Sequence, residues 1–300
     1  MDAVRTPDER FTGLPDWPFE PHYVELADGL RVHYVEEGPP GAPPVLLLHG
    51  EPSWSYLYRH VIPPLVAAGY RVVAPDLVGF GRSDKPVDRA AYTYAAHVGW
   101  MQEALFDRLD LSGIVLFAQD WGGLIGLRLV AADPDRFAAV VIGNTGLPTG
   151  EQQLSEALVA WQRWAREAEH FPVGRIVAGG CRRELTPEEI AAYDAPFHVD
   201  AATAGARVFP SLIPTSPDDP AAPDQRAAWE VLSRFDRPFL TAFSDGDPLT
   251  VGGDRAFRKL VPGAAGQPHR TVEGAGHFLQ EDRPDAVVDA VLTVAPTPAA

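Results

Sequence analysis

The chain of 300 residues carries 41 acidic against 25 basic side chains, a net charge of −16, which argues against nucleic-acid or anionic-membrane partners. Its 46% hydrophobic content is ordinary for a soluble globular protein, and its length suits one large core, a continuous sheet interrupted by an insertion. The single cysteine, Cys181, excludes an internal disulfide and reads as a small apolar filler. With no apolar export core in Met1–Arg10 and no run of membrane-spanning length, a cytoplasmic location is expected.

Tyr23–Leu26 and Arg31–Glu36 read as an opening hairpin turned by Asp28-Gly29. Apolar, β-branched runs at 44–48, 71–75, 114–118 and 138–142 predict buried strands. They alternate with helical segments near 53–68 and 93–110 and with Leu124–Val130, so the sheet is expected to be largely parallel and covered by helices. After Asn144 the rhythm changes. Residues 147–220 carry helical periodicity without a good core strand and end in the proline-rich Pro214–Pro220. This predicts a helical cap domain, 147–220, inserted into a core domain formed by 1–146 and 221–300. The sheet resumes at Arg237–Phe243 and near His269–Glu273, and Val294–Ala300 reads as a frayed tail.

The most informative segment is Ala118-Gln119-Asp120-Trp121-Gly122-Gly123. A strand, a tight turn flanked by small residues and a helix form a nucleophile elbow, usually Gly-x-Ser-x-Gly. Here the central residue is aspartate. A carboxylate attacking carbon leaves an ester that water can cleave, whereas serine attacking a saturated carbon would leave an ether. The aspartate therefore points to displacement at an alkyl carbon, against the alternative that Asp120 merely caps the next helix.

His49-Gly50-Glu51-Pro52 after the strand at 44–48, Pro75–Asp84 and Gly274-Ala275-Gly276-His277-Phe278 follow the order of an α/β-hydrolase. More narrowly, Gln119–Gly123 together with His49–Tyr56 resembles the haloalkane dehalogenases, over about Val24 to Val291. The resemblance implies the α/β-hydrolase fold, a mostly parallel sheet flanked by helices with an inserted helical cap that carries specificity. It also implies cofactor-independent hydrolysis of a small neutral haloalkane to an alcohol and halide, with water the second substrate and no metal. Oligomeric state stays open, with a monomer the simplest expectation.

Asp120 is then the nucleophile. His277 comes last in the nucleophile–acid–histidine order, and as a neutral imidazole it would take a proton from the water that attacks the ester. Asp247 fits the spacing of the orienting acid better than Asp245, which suits a turn. The glutamate that some relatives carry after the 138–142 strand has no counterpart in Gly143-Asn144-Thr145, which selects the subgroup with the late aspartate. A leaving halide needs donors in an apolar pocket, and the Trp121 indole is one. The second is an asparagine after His-Gly or a cap tryptophan, and Glu51 closes the first route. Leu154, Leu158, Trp161 and Ala165 share a helical face. Trp161 is therefore favoured, with Trp164 and Trp229 as rivals.

The backbone N–H groups of Glu51 and Trp121 would form the oxyanion hole, with Glu51–Pro52 a candidate cis bond. Leu158, Phe209, Leu212 and Leu249 would line the pocket. The Glu51 side chain receives no role, and His49 and Asp76 read as structural. An epoxide hydrolase would need cap phenols, and the cap holds only Tyr193. A fluoroacetate dehalogenase would place arginine at Trp121, and a non-catalytic receptor would not need to keep the triad.

Overall fold

The computed structural model describes residues 1–152 and 155–298; Leu154 and the last two residues of the expected tail lie outside them. Eight strands form one sheet: β1 His22–Glu25, β2 Arg31–Glu37, β3 Pro44–Leu48, β4 Arg71–Pro75, β5 Ile114–Gln119, β6 Phe137–Gly143, β7 Phe239–Ser244 and β8 Arg270–Val272. Their spatial order is β8-β7-β6-β5-β3-β4-β2-β1. β1, β2 and β4 pair antiparallel, and every other neighbour is parallel. A separate two-residue pairing joins Ala3–Val4 to Lys85–Pro86.

The central strands β3, β5 and β6 are apolar except at Gln119, the last residue of β5, because helices cover both faces. Along β3, Leu46 and Leu48 join one core, while Val45 and Leu47 join the other. β5 and β6 divide in the same way. Full burial of one such side chain contributes about 1.5–3 kcal/mol, so each central strand is anchored twice.

Helices α1 Ile62–Ala67, α2 Tyr94–Gln102 and α3 Trp121–Ala132 connect the early strands. The expected helix near 53–68 is a short 3₁₀ turn, Ser55–Tyr58, followed by α1, while α2 continues as a π-helical stretch to Arg108. Between β6 and β7 lie α4 Glu156–Glu167, α5 Val173–Gly180, α6 Pro187–Asp194, α7 Ala204–Val208 and α8 Ala222–Leu232. Ser155 caps α4, and Thr186 with Glu189 closes a capping box on α6. α8 packs on α3. α9 Asp254–Leu260, α10 Leu279–Asp282 and α11 Pro284–Val294 complete the chain.

Arg59, fully buried after β3, pairs with Glu189 of α6 at 2.8 Å and with Glu281 of α10. Arg183 and the Tyr193 hydroxyl also bond Glu281. This buried network ties the inserted helices to the sheet layer. No helix among the described residues is long and apolar enough to cross a membrane.

Candidate active site

Residues after β3, β5, β6, β7 and β8 converge at the carboxyl ends of the parallel strands, where open α/β sheets place their ligand crevice. At the end of β5, Asp120 has φ 52° and ψ −127°, a backbone state that costs about 1–3 kcal/mol. Four bonds hold it. Asp120 N–H donates to Asn144 O at 3.0 Å, and Asp120 O accepts from Gly123 N, Leu124 N and the Thr145 hydroxyl. The small neighbours are required by contact. A Cβ at Gly122 would strike the Leu48 carbonyl, and one at Gly50 would strike the Asp120 side chain.

The Asp120 carboxylate accepts from the Glu51 N–H at 2.7 Å. The Glu51–Pro52 bond is cis. His277 Nε2 lies 3.6 Å from the other Asp120 oxygen, beyond hydrogen-bond range. Its Nδ1 lies 3.1 Å from Asp247 Oδ2, and Asp247 in turn accepts from Leu249 N at 3.0 Å and Thr250 Oγ1 at 2.5 Å. Asp245 instead accepts from Gly274 N, a turn contact.

Burial opposes the imidazolium, but the charges of Asp247 and Asp120 outweigh it and push His277 up to about 10. Both carboxylates thus favour the imidazolium in the resting site, whereas the neutral base expected from sequence was expected for a different state, the alkyl ester. Burial also opposes the Asp247 carboxylate, yet His277 holds it below its ordinary range.

Sequence reasoning missed the groups that fix this loop. Asn144 donates to the carbonyls of Gly276 and His277 at 3.0 and 2.9 Å, and Gln119 Nε2 donates to His277 O at 3.1 Å. Their only sequence signal was position: each borders a strand end next to the elbow.

Trp121 is buried against Phe209 and Tyr94. Trp161 shares the cavity wall with Glu51, draws the Glu51 carboxyl down against burial, and stacks on Trp164, ring centres 5.2 Å apart. Trp164 is the outer ring of the stack, 41% exposed. The Trp229 N–H is taken by Leu147 O at 2.8 Å.

Asp120, Trp121, Trp161, Asp247 and His277 line one cavity of about 930 Å³. Leu158 and Leu249 line it as expected. Phe209 and Leu212 do not: Pro210 and Ile213 take their places. Pro210 lies on a 3₁₀ turn, Phe209–Leu212, and Ile213 is the extended residue that follows it. Phe209 instead backs Trp121. Tyr193 is fully buried and engaged with Glu281, away from the cavity. Cys181, expected as filler, is half-buried on the cavity wall, and burial pushes its thiol up. His49 and Asp76 bond backbone groups and hold loops.

Glu51 is the residue whose side chain sequence left unused. It is 5% exposed and Oε1 has no partner. Burial, then the Asp120 charge, pushes its carboxyl well above the usual range.

Residues 43–284 match the alpha/beta hydrolase fold family. The chain is 56% identical over 291 residues to a haloalkane dehalogenase of Psychrobacter cryohalolentis, covering 96% of each. It is 50% identical to one of Mycobacterium marinum, covering 98% of this chain and 99% of that one. Among solved structures, the tetrameric haloalkane dehalogenase of Paraglaciecola agarilytica superimposes with a TM-score of 0.91 at 37% identity, covering 97% of this chain and 98% of that one.

Proposed function

The chain belongs to the haloalkane dehalogenases of the α/β-hydrolase fold, and from that membership we propose a two-step mechanism carried by Asp120, His277 and Asp247. Asp120 displaces halide from a neutral haloalkane and becomes an alkyl ester. The indole N–H groups of Trp121 and Trp161 receive the developing halide charge. Water, deprotonated by His277, then attacks the ester carbonyl, whose oxyanion is met by the Glu51 and Trp121 backbone N–H groups. Asp120 is returned with release of the alcohol. The helices between β6 and β7 act as the cap that sets substrate fit.

The observation that carries this reading is a strained carboxylate 3.6 Å from an imidazole whose far nitrogen is held by a second carboxylate. It also accounts for the upward push on His277. Alkylation neutralises Asp120, removes one of the two charges that hold the proton, and so lowers the imidazole toward its basic form as the ester appears. The cavity offers no cap phenol for an opening epoxide, because Tyr193 points elsewhere.

The test separates the half-reactions. His277→Gln incubated with a bromoalkane is expected to release about one bromide per site, because alkylation needs no base. Intact mass rises by one alkyl group on the peptide containing Asp120, and Asp120→Ala gives neither burst nor adduct. Sustained turnover by His277→Gln would overturn the scheme.

A further inference from the structure

The Glu51 side chain has no part in that scheme, yet it stands within the same cavity. Its backbone is pinned by the bond from its N–H to Asp120. The carboxyl is buried, Oε1 is unpartnered, and the Trp161 indole draws it down against burial. The charged groups that act on it are Asp120, from the elbow after β5, and His277, from the loop after β8. Asp247, Arg175 and Arg182 share the cavity wall.

A carboxylate so placed would confront the Asp120 carboxylate in a water-poor pocket, and neighbouring like charges are avoided by keeping a proton on one of them. It would also engage the Trp161 N–H that a halide needs. The neutral acid does neither, and its O–H is a further donor. We propose that Glu51, in its neutral form, is a wall of the leaving-halide pocket, and that its ionisation closes that pocket to halide. This rests on the assignment of the halide to Trp121 and Trp161.

The sign follows from the direction in which Glu51 is pushed. Burial and the Asp120 charge push the Glu51 carboxyl above its ordinary range, so it holds its proton longer than a free carboxylate and loses it as pH rises, and halide affinity falls toward the alkaline side. Because bound halide favours the protonated acid, binding under alkaline conditions takes up a proton. His277, pushed up to about 10, is the other titrating group that acts on Glu51, and the Glu51→Gln variant separates the two.

Bromide titration of tryptophan fluorescence from about pH 6 to about pH 9 tests this in the wild-type protein and in Glu51→Gln, which stays neutral. The wild-type apparent Kd is expected to rise at least about tenfold across the range, and that of Glu51→Gln to change less than about threefold. Parallel losses in both proteins overturn the inference. Proton uptake on bromide binding by wild-type protein in weak buffer gives a reading that needs no variant. Absent uptake where affinity is falling overturns it as well. If bromide perturbs neither protein at any pH, the tryptophan halide site itself fails, and this inference with it.

Discussion

The two walls of the cavity are held by different means. On the sheet side each group of the proposed triad is fixed more than once: Asp120 by Asn144, Gly123, Leu124 and Thr145, Asp247 by Leu249 and Thr250, and His277 by Asp247, Gln119 and Asn144. On the facing wall Trp161 rides on α4, a helix in which Ala165 is the one fully buried residue. Its indole is steadied by stacking on Trp164. Groups that must keep their geometry thus hang from strand ends by redundant hydrogen bonds. The proposed halide donor Trp161 is instead carried by a lightly anchored helix, held in place mainly by stacking.

Five experiments bear on that contrast. The largest effect is expected for Asp247→Asn, which loses the carboxylate that orients His277. Ester hydrolysis should slow by about 10⁴-fold, by analogy with a triad whose acid becomes an amide, and alkylated protein should accumulate in intact-mass spectra. A loss confined to bromide release in the first turnover would place Asp247 in the wrong half-reaction.

Arg59→Met tests the tie between the two walls. It leaves Glu281 buried with fewer partners, and removing one member of a buried pair costs about 3–5 kcal/mol, readable by urea denaturation. The same network predicts acid sensitivity. The Arg183 bond, followed by Thr186 and Arg59, holds Glu189 at about 2, and Arg59 and Tyr193 hold Glu281 down against burial. A lowered carboxylate contributes stability above its unfolded value and loses it as pH falls. The inserted helices should therefore loosen between about pH 4.5 and about pH 2, with urea midpoints the measurement.

Trp161→Phe comes next, with turnover lower by about 10²–10³ and bromide response weakened. Trp164→Phe should be the mildest, because the outer ring is exposed and phenylalanine keeps most of the stack; a change within about threefold is expected. If Trp164→Phe shows the larger loss, the inner and outer rings have exchanged roles.

The sheet was legible because a strand buried on both faces must be apolar, as in β3, β6 and all of β5 but Gln119. The elbow was legible because its strand, turn and helix residues are contiguous in sequence, although the collisions that require its small residues come from Leu48 and Gly50, some seventy positions away. What stayed hidden was contact across the chain. Asn144 holds a loop 133 residues away, and nothing near Asn144 in sequence announces it. The role of Thr250 depends on Asp247 turning back over it. The lining expected at Phe209 and Leu212 rested on the resemblance, and which side of their turn meets the cavity is set by tertiary packing, Phe209 being turned against Trp121. Glu51 was visible as a departure from asparagine, but its burial beside Asp120 is a property of the fold alone.

The strained turn at Asp120 also has a history built into it. Its cost falls on the backbone, through φ and the glycines at 50 and 122, and scarcely on what the side chain carries. Ancestors and descendants of this protein could exchange the reactive group at one codon while inheriting the scaffold intact. A drift at either glycine would instead be purged before any new chemistry was sampled. Evolvability in this molecule is therefore concentrated at the tip of one side chain, and its constraint lies in the two hydrogen atoms where neighbouring residues would carry a methyl.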